Sequence, residues 1–147
     1  MFVMQNKTAT RQVPDQISTP LQIVIPHRQP ELTRAALKYA ATFAAGLDAK
    51  LRLIDVHVVP YGVPLDKPTV DPRHTLRRVR NLAQESSLPV CAEIVYARDW
   101  EQGLRRMLSP GSLVLIPIKR AWWRTAEKRL AARLRKLGHQ VLWVDCE

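Results

Sequence analysis

Apolar and polar residues along the chain change rhythm repeatedly. Leu21 to Ile25 (L-Q-I-V-I) is short, rich in β-branched residues and followed by Pro26, which predicts a strand. Pro30 suits the first position of a helix, where a missing N–H costs little. Leu32, Ala36, Ala40, Phe43 and Leu47 then recur at three- and four-residue steps, the mark of one buried helical face, and Asp48 is expected to end it. Leu51 to Val59 (L-R-L-I-D-V-H-V-V) predicts a second strand, and Pro60, Gly62, Pro64 and Pro68 a loop after it. Asp71-Pro72 reads as a cap and first-turn proline, with Leu76, Val79, Leu82 and Ala83 on the apolar face and Pro89 as the stop. Val90 to Ala97 predicts a third strand. Asp99, with Gln102 three residues on, predicts a short helix to Leu108. After the turn Ser109-Pro110-Gly111, Ser112 to Ile118 predicts a fourth strand. Trp123, Ala126, Leu130, Leu134 and Leu137 step along a fourth helix, and Gly138 is its natural stop. Val141 to Val144 closes the pattern as a fifth strand. Residues 1–20 are polar, carry Pro14 and Pro20, and read as a mobile arm before a domain spanning 21–147.

Strands alternating with helices, most of the strands continuously apolar, imply a parallel sheet covered on both faces. Right-handed crossovers make it doubly wound. Such sheets bind ligands beyond the carboxyl ends of their strands, where strand order reverses. The segments arriving there are Pro26-His27-Arg28, Val59-Pro60, Ala97-Arg98 and Pro117 to Arg120.

At 147 residues, the chain is long enough for one domain with a core that needs no disulfide or metal staple. No apolar run approaches the roughly 18 residues of a membrane span. The first twenty residues hold no apolar signal-peptide core, so a reducing cytoplasm is the expected setting. Charge adds more. Twenty-three Lys and Arg against thirteen Asp and Glu leave a net charge of +10 and a pI near 10.3, which fits an anionic partner. Most of the surplus sits in Arg73, Arg77, Arg78 and Arg80 and in the segment 119–136.

The chemistry is sparse. His27, His57, His74 and His139 show no metal-ligand spacing, and no metal site is expected. There is no nucleophile elbow, P-loop or pair of catalytic carboxylates, so no catalytic residue is assigned and no enzyme is expected. Arg28, Lys119, Arg120 and Arg124 are candidate anion-binding residues, with His27 beside Arg28 at the same crevice. Guanidinium forks match phosphate or carboxylate oxygens, whereas the plain alternative is solvated loop charge. The helix from Arg124 to Lys136 is basic enough to meet nucleic acid phosphates. No helix-turn-helix or RNA-binding signature accompanies it, and the plainer reading is a solvated helix face.

Several segments together resemble the universal stress protein family, over residues 21–147. They are I-V-I-P at Ile23 to Pro26, A-L-K-Y-A at Ala36 to Ala40, and L-D-A-K-L-R-L-I-D-V at Leu47 to Val56. L-P-V-C-A-E-I-V-Y-A-R-D at Leu88 to Asp99, S-L-V-L-I-P at Ser112 to Pro117 and L-G-H-Q-V-L-W-V at Leu137 to Val144 complete them. The resemblance implies a five-stranded, adenine nucleotide α-hydrolase-like α/β fold with strand order 3-2-1-4-5. It implies a homodimer through the last strand, here Val141, Leu142, Trp143 and Val144. It also places the third and fifth strands at opposite edges, so Cys91 and Cys146 would not pair within a chain.

Many members of that family bind ATP, with an aspartate after the first strand and a G-x2-G-x9-G-[ST] loop after the fourth. Here Arg28 stands at the aspartate position, and Lys119, Arg120, Ala121 and Trp122 stand where the glycines would begin. No glycine lies between Gly111 and Gly138. Only a backbone without Cβ lets several N–H groups close on phosphate oxygens. The expectation is a protein without a cofactor that does not bind ATP in the family's usual way, with Trp122 filling the vacated pocket. It would act by dimerisation and partner binding in a stress response. The alternatives are a basic binder of nucleic acid or of a phosphorylated small molecule, and an ATP-dependent regulator with an atypical pocket.

Overall fold

The computed structural model describes residues 20–67, 70–119 and 125–145. Nine elements alternate in order: β1 (Leu21–His27), α1 (Pro30–Ala44), β2 (Ala49–Val58), α2 (Pro72–Gln84), β3 (Val90–Ala97), α3 (Trp100–Met107), β4 (Leu113–Ile118), α4 (Thr125–Lys136) and β5 (Gln140–Asp145). The five strands form one parallel sheet in the order β3-β2-β1-β4-β5, the doubly wound arrangement anticipated. The chain first winds outward from β1 to β3, then crosses back to β4, so strand order reverses between β1 and β4.

Alternation along the strands sends successive side chains to opposite faces. Ile23, Ile25, Leu51, Leu53, Leu113 and Leu115 pack beneath α1 and α2. On the other face, Val24, Ile54 and Val56 pack with Leu104 of α3, while Val114, Ile116 and Val141 pack with Leu130, Ala131 and Leu134 of α4. Asp71 caps α2 by accepting from the Arg73 N–H at 3.0 Å, and Asp99 caps α3 by accepting from the Glu101 N–H at 3.1 Å.

Several boundaries differ from the sequence expectation by a residue or more, and four of the differences have a physical reason. β1 runs through Pro26 to His27, because β1 pairs with β4 only at Ile23 and Val24. Pro26 lies beyond that ladder, where its missing N–H leaves no gap in it. α1 stops at Ala44, where Gly46, at φ 79°, takes the left-handed turn. Its sheet-facing stripe is Thr33, Ala36, Leu37, Ala40, Ala41 and Ala44, and the four alanines let the helix sit close. Phe43 and Leu47 are therefore exposed, and Phe43 stacks on Tyr39 with ring centroids 6.2 Å apart. α2 ends at Gln84, five residues before Pro89. Leu137 is half exposed, since it lies past the last turn of α4, while Gly138 takes the expected left-handed conformation at φ 90°.

One internal ion pair fastens the β3 edge. Arg52 is 8% exposed. Its guanidinium donates to both Glu93 carboxylate oxygens, at 3.0 and 2.6 Å, and to the Met107 carbonyl at 2.7 Å. Beyond the carboxyl ends, Arg98 holds the β2–α2 loop by donating to the carbonyls of Val59, Pro60 and Val63.

Candidate functional site

The divergence of β1 from β4 after Val24 opens a crevice at the point where strand order reverses. It encloses a cavity of about 120 Å³. Pro26 and Arg28 arrive from β1, Pro117, Ile118 and Lys119 from β4, and Leu130 and Glu127 from α4. Both prolines on its walls lack an N–H, so neither strand end offers a main-chain donor at that position.

Arg28 and Lys119, two of the four candidate cations, thus come together at one cavity. Arg120, Arg124 and the pocket-filling candidate Trp122 lie outside the described residues, as do Trp123, Cys146 and the arm up to residue 19. Lys119 reaches Glu31 of α1, with Nζ 3.9 Å from the carboxylate oxygen. The Arg28 guanidinium carbon sits over the Trp100 ring, 3.9 Å from its centre, a cation–π contact.

Trp100 is the residue that sequence reasoning missed. It opens α3, immediately after the Asp99 cap, and bridges the apolar clusters under α3 and α4. The α3 crossover returns from the β3 edge towards β4, and this brings the ring to the crevice. A large aromatic one residue past a helix cap, at a strand's carboxyl end, was the available signal.

His27 does not join Arg28 in the crevice. With Ile23 and Ile25 it belongs to the α1 side of the sheet, and its Nδ1 lies 2.7 Å from Thr33 Oγ1. In register beside it on β2 is Asp55. Burial lowers the His27 pKa from its ordinary value, against the opposing pull of Asp55, and Arg78 lowers it further. Burial likewise raises the Asp55 carboxyl, against the attraction of His27, His57 and Arg78. The neighbouring His57 meets Tyr96 edge to face at 5.4 Å. The free thiol of Cys91 is exposed on β3, and burial together with Glu93 pushes its pKa up, which disfavours the thiolate.

The basic α4 is partly engaged in structure. Arg133 pairs with Glu101 of α3, and Arg135 donates to the Val141 carbonyl at 3.3 Å. β5 is an edge strand, with Val141 and Val144 buried and Leu142 and Trp143 half-buried. Among the described residues no His, Cys, Asp or Glu cluster could hold a metal ion, and no helix is long and apolar enough to cross a membrane.

These features define a class: a five-stranded, doubly wound α/β domain with a small crevice at its topological switch point. Among solved structures, that fold is the one seen in universal stress proteins. A universal stress protein crystallised in complex with cAMP matches with a TM-score of 0.57 and 16% identity, over 88% of this chain and all of its own. A protein of the universal stress protein family from Burkholderia pseudomallei matches with a TM-score of 0.54 and 19% identity, over 86% of this chain and 97% of its own. No protein-family model matches the sequence, and no curated protein matches it.

Proposed function

We propose that the protein is a universal stress-type regulatory module that works by self-association and partner binding, without catalysis and without ATP. The observation that carries this reading is the crevice. Its roughly 120 Å³ falls below the 300–1,000 Å³ usual for a site that buries a drug-sized ligand. Triphosphate capture by main-chain N–H groups needs a glycine-rich turn after β4, and no glycine lies between Gly111 and Gly138. Charge argues the same way. Glu127 lines the crevice and Glu31 lies 3.9 Å from Lys119, so a ligand with several negative charges meets repulsion along with attraction.

Self-association through β5 is supported by its edge position and by the half-buried Leu142 and Trp143, an apolar edge of the kind that pairs with another strand. The fold and the lack of a membrane-spanning helix among the described residues suit a cytoplasmic setting, which belongs to the proposal.

Titration calorimetry and thermal shift with magnesium ATP, and separately with cAMP, test the reading. The expected result is neither heat nor a shift at about 1 mM nucleotide, where a ligand with a 10 µM Kd would stabilise by roughly 2.7 kcal/mol. Saturable binding of either nucleotide refutes it. Light scattering at micromolar protein is expected to give a dimer mass, and a monomer would remove the self-association part.

A further inference from the structure

We infer that the β1–β4 crevice is a binding site for a small monoanion: a carboxylate carried on a single ring or a short apolar chain. This rests on the reading above and adds the ligand class. The walls are mostly hydrocarbon, from Pro26, Leu32, Ile116, Pro117, Ile118 and Leu130. Ile116, Ile118 and Leu130 are themselves core residues, at most 7% exposed, so the lining is set by the packing of the fold. An apolar cavity of roughly 150 Å³ accepts a benzene ring, which fixes the scale of a suitable guest.

The polar end of the guest is set by Arg28. Its guanidinium is held over the Trp100 ring, and its N–H donors lie in the plane of the group. Among the described residues, no hydrogen bond or ion pair engages those donors. Lys119, by contrast, already has Glu31 within 3.9 Å, and Glu127 lines the same cavity. Carboxylate thus already opposes Lys119, and the demand that remains is that of the planar Arg28 fork, which is met by one delocalised negative charge. A bare inorganic ion would satisfy Arg28 and leave the hydrocarbon walls unfilled. An uncharged ring would fill the walls and leave Arg28 unmatched.

The test is fluorine NMR of 4-fluorobenzoate titrated with the full chain, beside 4-fluorobenzamide, inorganic phosphate, magnesium ATP and cAMP. The expected result is saturable broadening of the benzoate line with a Kd of about 1 mM or tighter, and binding of the benzamide and of phosphate at least about tenfold weaker. Arg28→Gln, at an exposed position, should fold normally by circular dichroism and weaken benzoate at least about tenfold. Arg28→Lys, which keeps the charge and loses the fork, should fall between the two. No broadening at 10-fold the expected Kd, equal affinity for the benzamide, or an Arg28→Gln variant that binds like the parent would each overturn the inference. Silence from benzoate and both nucleotides removes the carboxylate site and leaves the nucleotide-free reading intact. Saturable ATP or cAMP binding refutes that reading, and this inference with it.

Discussion

Gly103 is the tightest point between α3 and the sheet, and replacing it by alanine tests how closely that helix must sit. A Cβ placed there would lie 2.7 Å from the Val56 Cγ1 methyl and 2.9 Å from the Ala97 Cβ. Both are closer than real Cβ contacts. A Val methyl can turn away at some cost, but a Cβ is fixed to its backbone, so relief at Ala97 requires moving β3 or α3 itself. In a helix, alanine over glycine is worth about 1 kcal/mol of stability. Overpacking of this kind costs about 1–3 kcal/mol, and a clash with backbone-fixed carbon belongs in the upper half of that range. The difference is a net loss of about 1–2 kcal/mol, or roughly 3–6 °C in Tm for a domain of this size. Urea denaturation followed by far-ultraviolet circular dichroism measures it, with Gln102→Ala as the exposed control, expected within about 0.5 kcal/mol of the parent. A Gly103→Ala variant as stable as the parent, or more stable, would refute the close approach of α3. The consequence reaches the crevice, because Trp100 rides on the same helix and supports Arg28.

Two further perturbations probe the buried charges. Glu93→Ala leaves Arg52 with only the Met107 carbonyl and should cost about 2–3 kcal/mol, whereas the joint Arg52→Met, Glu93→Ile replacement should recover most of that; equal losses in denaturation midpoints would contradict the reading. His27, whose folded pKa is lowered from 6.5 chiefly by burial, binds a proton less readily than in the unfolded chain, so stability should decline as pH falls below about 6.5 towards the folded value. Asp55, raised from 3.8 by its own burial, acts with the opposite sign and returns stability as it protonates at lower pH. Urea midpoints at about pH 7.5 and pH 5.5 should therefore shift against the parent relative to His27→Gln at the lower pH, and parallel behaviour would discard this account.

Much of the fold was legible because its strands are continuous apolar runs and its connections carry helical periodicity. Those patterns admit few arrangements other than a doubly wound sheet. The crevice cations Arg28 and Lys119 were legible for the same reason, since topology alone places the ends of β1 and β4 together. What failed was finer. Ending β1 at Ile25 hid the alternation that puts His27 on the face of Ile23 and Ile25, away from Arg28. Reading Phe43 and Leu47 as core ignored how closely an alanine stripe lets a helix approach. Trp100 could not be placed by local pattern, because its role depends on where the α3 crossover lands.

The shape of the crevice and its chemistry have separate causes. Reversal of strand order leaves β1 and β4 with connections leading to opposite faces, so a gap between their carboxyl ends follows from the topology whatever residues line it. Its donors are local choices. A glycine-rich end would present main-chain N–H groups fixed in space and able to follow a polyphosphate. Here no glycine lies between Gly111 and Gly138, and among the described residues the polarity of the crevice is carried by side chains: Arg28 braced by Trp100, and Lys119 set against Glu31. Side-chain donors few in number and already opposed by carboxylates select for low ligand charge. On the proposed reading, these side chains narrow the crevice of this chain to a guest the size of one ring.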